Sequence, residues 1–128
     1  MIVLCYYVPH GSTILLEQPE IHLHPRVQEG LADVLIDAAR SRQVQLIVES
    51  HSEHLLRRLQ RRIAEDRLSV ETVALYFCDT RDGASDLVPL DADMYGDIKN
   101  WPKDFFGNEM EDIAATVKAR MKRRGGGQ

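Results

Sequence analysis

Two short polar segments hold most of the side chains able to bind a metal, grip a phosphate or move a proton. The first is Glu17-Gln18-Pro19-Glu20-Ile21-His22-Leu23-His24-Pro25, and the second is Glu49-Ser50-His51-Ser52-Glu53-His54. His22, His24, His51 and His54 come from a total of 5 histidines, so the imidazoles are concentrated here. A carboxylate that ends a buried strand can hold Mg²⁺, usually through water, while the metal also touches phosphates. A nearby carboxylate or amide can orient an attacking water. A histidine can hydrogen-bond a phosphate oxygen or relay a proton. The rival chemistry is zinc, for which His22-x-His24 and His51-x-x-His54 with Glu20 or Glu49 offer suitable donors. The helical H-E-x-x-H signature of zinc hydrolases is absent, since Glu53 directly precedes His54.

Each segment follows an apolar run. Ile14-Leu15-Leu16 leads into Glu17, and Val44-Gln45-Leu46-Ile47-Val48 leads into Glu49; both read as buried strands. From Pro25, a residue suited to a first helical turn, Leu31, Val34, Leu35 and Ala38 fall on one helical face. After the second segment, with Ser50 or Ser52 as cap, Leu55, Leu56, Leu59 and Ile63 form another such stripe. Val73–Cys78 is a third strand, Asp82-Gly83 a turn, and Leu87-Val88-Pro89-Leu90 a returning strand best placed at an edge. Ile113, Ala114, Val117 and Met121 keep helical spacing in a last helix. Strand, helix, strand, helix, strand is the rhythm of a parallel sheet with crossover helices, and nearly continuous apolar strands fit a sheet covered on both faces. Ligands of such sheets collect beyond the carboxyl ends of the strands, so both polar segments are expected on one rim.

The 128 residues suit one domain, with no internal repeat. The net charge of −4 does not advertise a nucleic-acid binder. Arg57, Arg58, Arg61 and Arg62 cluster, as do Lys118, Arg120, Lys122, Arg123 and Arg124; both clusters read first as solvated helix faces. No aromatic residue interleaves with these arginines to build a base-stacking platform. Cys5 and Cys78 lack CxxC partners, and a reducing cytoplasmic setting is the simplest home. The apolar start before Pro9 is far short of the roughly 20 residues that span a bilayer, and it lacks the features of a signal peptide.

Ile14-Leu15-Leu16-Glu17-Gln18-Pro19-Glu20-Ile21-His22-Leu23-His24-Pro25 resembles the Walker B and D-loop segment of ABC-type ATPases, and Val48-Glu49-Ser50-His51-Ser52-Glu53-His54-Leu55 resembles their switch-histidine segment. The Glu-Gln-Pro-Glu core and Ser-Glu-His-Leu ending are similar to a prokaryotic family of predicted AAA/ABC-like ATPases whose C-terminal domain has no assigned function. Residues 96–107, from Gly96-Asp97-Ile98 through Trp101-Pro102 to Phe105-Phe106-Gly107, resemble the ending of that domain. The resemblance runs from Ser12 onward.

The resemblance implies an α/β fold of the P-loop NTPase class, represented by its C-terminal half. That fold is a three-layer sandwich with a mainly parallel sheet and an antiparallel edge strand. Residues 1–90 would form the C-terminal part of the ATPase core, 91–124 an appended helical segment, and 125–128 a flexible tail. ATP and Mg²⁺ are the implied cofactors, with Glu17 as metal ligand. Gln18 stands where many such ATPases place the catalytic glutamate. Glutamine cannot accept a proton, so it would orient water while Glu20 supplies a base. His24 and Pro25 fall in the D-loop, which crosses a dimer interface in such ATPases, and His51 matches the γ-phosphate-sensing histidine. The phosphate-binding loop G-x-x-x-x-G-K-[ST] and the LSGGQ-type signature are absent. ATP hydrolysis is therefore expected only with an N-terminal ATPase half or a full-length subunit, in a possible homodimer, with a nuclease or DNA as further partner by family analogy. A non-catalytic interaction module is the alternative.

Overall fold

A five-residue apolar strand pairs stably only if a neighbour takes its backbone groups. In the computed structural model, which describes residues 2–102, 105 and 115–122, β1 (Thr13–Glu17) and β2 (Gln45–Glu49) do this for each other. They are parallel and in register from Thr13↔Gln45 to Glu17↔Glu49. A parallel pair requires a long crossover, here the helix α2 (Pro25–Arg42). Pro25 opens α2, and the His24 side chain accepts the Arg26 N–H at 3.3 Å as its N-cap. Gln43, in the left-handed region at φ 52°, closes it. The second helix, α3 (Glu53–Ala64), starts at Ser52, whose Oγ accepts the Leu55 N–H at 3.2 Å. Glu53 in its first turn and Arg61 and Arg62 in its last complement the helix dipole.

The two anticipated stripes meet. Leu31, Ala32, Leu35 and Ala38 of α2 and Leu55 of α3 share one core with Leu16, and Ile14, Leu46, Val48 and Leu59 pack on it. The N-terminal apolar run, too short to span a membrane, adds a short helix, α1 (Ile2–Tyr7). It buries Cys5 in the same core, and Tyr6 Oη donates to Asp37 Oδ2 at 2.7 Å, a bond that raises the phenol's pKa. Cys5 and Cys78 are both free thiols. No helix among the described residues is long and apolar enough to cross a membrane.

Two fold expectations need correction. Val73–Cys78 does not extend the parallel sheet. Leu75–Cys78 fall in β3 (Leu75–Arg81), which pairs with β4 (Ala84–Leu90) as a separate antiparallel sheet, while Val73 and Ala74 lie outside it. Asp82 at φ 51° and Gly83 at φ 78° form a two-residue loop of left-handed residues, and such loops match the twist of antiparallel strands. In β3, half-buried Leu75, Phe77 and Asp79 alternate with exposed Tyr76, Cys78 and Thr80, the pattern of a strand packed on one face. Pro89 is tolerated because both strands of this sheet are edges. Nor is the parallel sheet covered on both faces. Leu15 and Ile47 face each other in register and remain 75% and 50% exposed. The expected three-layer sandwich is thus, among the described residues, a two-stranded parallel layer with its helices on one side and a separate antiparallel hairpin.

The first arginine cluster is matched by acids. Arg58 contacts Glu29 at 2.8 Å, and Arg62 grips both Asp33 oxygens at 2.7 and 2.9 Å. Arg57 and Arg61 pair along α3 with Glu53 and Glu65. The Arg62 hydrogen bonds, opposed by partial desolvation, hold the Asp33 carboxyl below its ordinary value of about 3.9. A folded pKa below the unfolded one stabilises at higher pH and loses that contribution as pH falls through the folded value. The urea midpoint of Asp33→Asn is therefore expected below wild type at pH 7, with a shallower decline below pH 4. Parallel curves for the two proteins would contradict this. Asp33 is partly solvent-screened, so the effect is read as a direction only.

Residues 91–102 turn back onto α3 rather than leaving the surface. Asp93 Oδ1 accepts the Tyr95 and Asp97 N–H groups at 2.9 and 3.0 Å, Ile98 is buried, and Gln60 Nε2 donates to the Gly96 carbonyl at 2.8 Å. Phe105 packs against Phe77 and Trp101 with tilted rings, centroids 5.2 and 4.7 Å away, in a small satellite core. Residues 115–122 are helical, with Val117 and Met121 exposed. Ile113, Ala114, Phe106, Arg123, Arg124 and the expected tail 125–128 lie outside the described residues.

Candidate functional site

Glu17 and Glu49 are the last residues of β1 and β2 and are partners in the parallel register. Strand side chains alternate between faces, so both belong with Leu15 and Ile47 on the uncovered side. Adjacent strands lie about 4.8 Å apart, so the two carboxylates project from neighbouring positions with no described element between them and solvent. Both residues are exposed. Like charges placed directly across a strand pair repel, and a hard cation or a basic partner relieves the repulsion.

Beyond Glu17 the chain folds into two tight turns. Gln18 donates its N–H to the Glu49 carbonyl at 2.8 Å, Ile21 N–H reaches the Gln18 carbonyl at 3.1 Å, and Leu23 N–H reaches the Glu20 carbonyl at 2.9 Å. Gln18 at φ 43° and His22 at φ 68° sit in the left-handed region, which costs an L-residue about 1–2 kcal/mol. Non-glycine residues held there cluster at functional sites. The turns carry Glu20 inward, where it is only 7% exposed.

Glu20 Oε1 accepts the backbone N–H of His51 at 2.9 Å. Oε2 is buried and makes no hydrogen bond among the described residues. A second tie runs parallel to the first. Ser52 Oγ donates to Gln28 Oε1 at 2.5 Å, while Gln28 Nε2 donates to the Leu23 carbonyl at 3.0 Å. The segments after β1 and β2 are therefore joined at two points, and both sit at the carboxyl edge of the sheet as expected. Between them lies an open cleft of about 290 Å³, lined by Gln18, Glu20, Ile21, His22, Gln28, His51 and Ser52.

Gln18, Glu20 and His51 thus come together in one cleft, and Glu17 closes the strand at its side. His24 does not line the cleft; its imidazole is the exposed N-cap of α2. His54 stands exposed in the first turn of α3, and Ser52 rather than His54 caps that helix. The zinc arrangement is not assembled, since no three His, Cys, Asp or Glu side chains among the described residues converge to hold a metal. Gln28 is the addition from structure, and Glu49, named in the sequence only as a zinc donor, gains a place opposite Glu17. Gln28 carries no motif signal, whereas Glu49 occupies in its segment the place Glu17 occupies in the first.

Residues 1–57 match a protein family described as "AAA domain, putative AbiEii toxin, Type IV TA system". Residues 68–115 match another, described as "Protein of unknown function (DUF3696)". Neither the curated proteins nor the solved structures include a match to this chain. The two matches, in this order, are consistent with part of an AAA-like ATPase carrying a C-terminal domain of unknown function, and they support a P-loop NTPase-like fold for the first region.

Proposed function

We propose, from the premise of an AAA-like ATPase region at residues 1–57, that this chain supplies the metal- and γ-phosphate-facing side of an ABC-type ATP-hydrolysing site. The observation that carries the proposal is the juxtaposition at the sheet edge: paired carboxylates Glu17 and Glu49 beside a cleft containing Gln18, Glu20 and His51. The exposed, oxygen-only pair fits a hard divalent cation that keeps most of its water. Mg²⁺ bound there would neutralise charge developing on the phosphate oxygens.

Glu17, at the end of β1 in the Walker B position, would hold the metal, which would supply charge neutralisation at the phosphate oxygens. The Gln18 amide orients the attacking water from the lining of the cleft, on a backbone held at φ 43°. Glu20 Oε2, buried and without a hydrogen-bond partner among the described residues, is the acceptor for the water's proton. His51, as the switch histidine, donates an imidazole N–H to a γ-phosphate oxygen. His24, exposed at the head of α2, belongs to the D-loop surface that meets a second ATPase subunit in a dimer. The backbone cradle for the phosphates comes from a segment with a phosphate-binding loop, an N-terminal half or a full-length subunit. A DNA-linked role beside a nuclease is the biological setting suggested by analogy alone.

The test is phosphate release from Mg·ATP by the chain alone and by the chain combined with a polypeptide that supplies the phosphate loop. Turnover is expected only in combination, and His51→Ala is expected to lower it about a hundredfold, the scale for one lost donor to transition-state charge. Turnover indifferent to His51 would refute the assignment. The open Leu15 and Ile47 face favours a second reading, a non-catalytic interaction module. That reading predicts binding to the loop-bearing polypeptide without turnover.

A further inference from the structure

The Glu20 carboxylate is the only buried charged or polar side chain among the described residues, and its two oxygens have different surroundings. Burying a carboxylate is costly unless its oxygens are paired. One oxygen is paired across the site, to the main chain of the residue that would sense the γ-phosphate. A hydrogen bond to a charged acceptor is about twice as strong as a neutral one. It fixes the position of the His51 backbone, and hence the direction from which the imidazole projects. The neighbouring Gln28–Ser52 bond anchors the next residue but leaves the His51 N–H itself to Glu20.

We propose that Glu20 is a positioning residue, which through Oε1 locks the His51 segment to the turns that follow Glu17, so that the metal side and the γ-phosphate side of the cleft move as one body. The proposal deepens the ATPase reading and rests on it for its functional consequence. The lock itself does not depend on nucleotide. A carboxylate or a carboxamide can supply the Oε1 acceptor, but a methyl group cannot. Glu20→Gln therefore separates the lock, which it keeps, from any proton-accepting role of Oε2, which it removes.

The experiment has two arms. In the full 128-residue chain, amide hydrogen exchange at His51 is followed by NMR in wild type, Glu20→Gln and Glu20→Ala. Glu20→Ala is expected to speed exchange at His51 at least tenfold while core amides such as Leu35 and Ile47 stay protected, and Glu20→Gln is expected to stay near wild type. In the ATPase completed with a phosphate loop, Glu20→Ala and His51→Ala are each expected to raise KM for ATP. The double variant should do no more than the worse single one, the non-additivity of a residue acting through another. Unchanged His51 exchange in Glu20→Ala with the core intact would overturn the lock, and so would additive effects in the cycle. If Glu20→Ala proves unfolded, loss of His51 protection in a folded Glu20→Gln would overturn it equally. Absence of ATP turnover in every combination, with the exchange result as expected, would count against the ATPase reading while leaving the lock standing.

Discussion

Glu17→Ala is expected to lower ATP turnover by the completed ATPase about a thousandfold while leaving the isolated chain as stable as wild type or slightly more so. The loss follows from the metal's contribution. Lewis-acid stabilisation of phosphoryl oxygens is worth several kcal/mol, and about 4 kcal/mol is a factor of roughly a thousand in rate. The gain follows from the register. Glu17 and Glu49 are strand partners with the same charge, and removing one member of such a pair relieves a repulsion of about 0.2–1 kcal/mol. The pairing of β1 with β2 is made by backbone atoms, and Glu17 is exposed, so the truncation opens no cavity. A carboxylate that matters only for folding cannot give this pair of signs, because its removal would cost stability and leave chemistry intact. Phosphate release across a Mg²⁺ titration, with thermal melts of the same proteins, reads both. Turnover within threefold of wild type would remove Glu17 from the metal site. Glu49→Ala gains the same relief of repulsion, and comparing the two locates the metal on one strand end or between both.

The parts of this arrangement that could be read from the sequence are those written in local periodicity. Leu31, Leu35 and Ala38, and Leu55, Leu59 and Ile63, recur at helical spacing because each helix buries a single stripe, and both stripes are found inward or half-buried. Asp82-Gly83 is legible because few residues other than glycine, asparagine and aspartate accept two left-handed positions in succession. Strand neighbours are another matter. Nothing local in Leu75–Cys78 states whether its partner is β2 or β4, and its run of apolar residues hides the one-sided burial that the structure shows, with Leu75 and Phe77 half-buried and Tyr76 and Cys78 exposed. Ile14-Leu15-Leu16 reads as fully buried, yet Leu15 points to a side that no described element covers. The site divides in the same way. Which residues gather at the strand ends follows from the βαβ pattern. That Glu20 turns inward to the His51 main chain is a contact across 31 residues, made possible by left-handed Gln18 and His22, and neither residue type announces that conformation.

Gly96→Ala is expected to destabilise the chain by about 2–3 kcal/mol, lowering Tm by on the order of 10 °C. Two costs combine. Gly96 holds φ 81°, where an L-residue is strained, and a Cβ at this position would overlap the Gln60 carbonyl oxygen and lie 3.0 Å from its carbon. Those are main-chain atoms of α3, so relief requires the helix and the loop to part, breaking the 2.8 Å bond from Gln60 Nε2 to Gly96 and uncovering Ile98. Gly83→Ala is the control, because Gly83 has a similar φ of 78° with no atom within 4 Å of its Cβ position. It should show the backbone cost alone, about 1 kcal/mol. The difference between the two melts then measures how firmly residues 91–100 are docked. That docking bears on the site, because α3 is held by Gly96 on one side and is capped by Ser52, next to His51, at its start. Equal Tm losses in the two variants would mean that the segment lies loosely on α3. A larger loss in Gly96→Ala, together with faster amide exchange at His51, would show that the region matched to the family of unknown function braces the helix whose first turn positions the cleft.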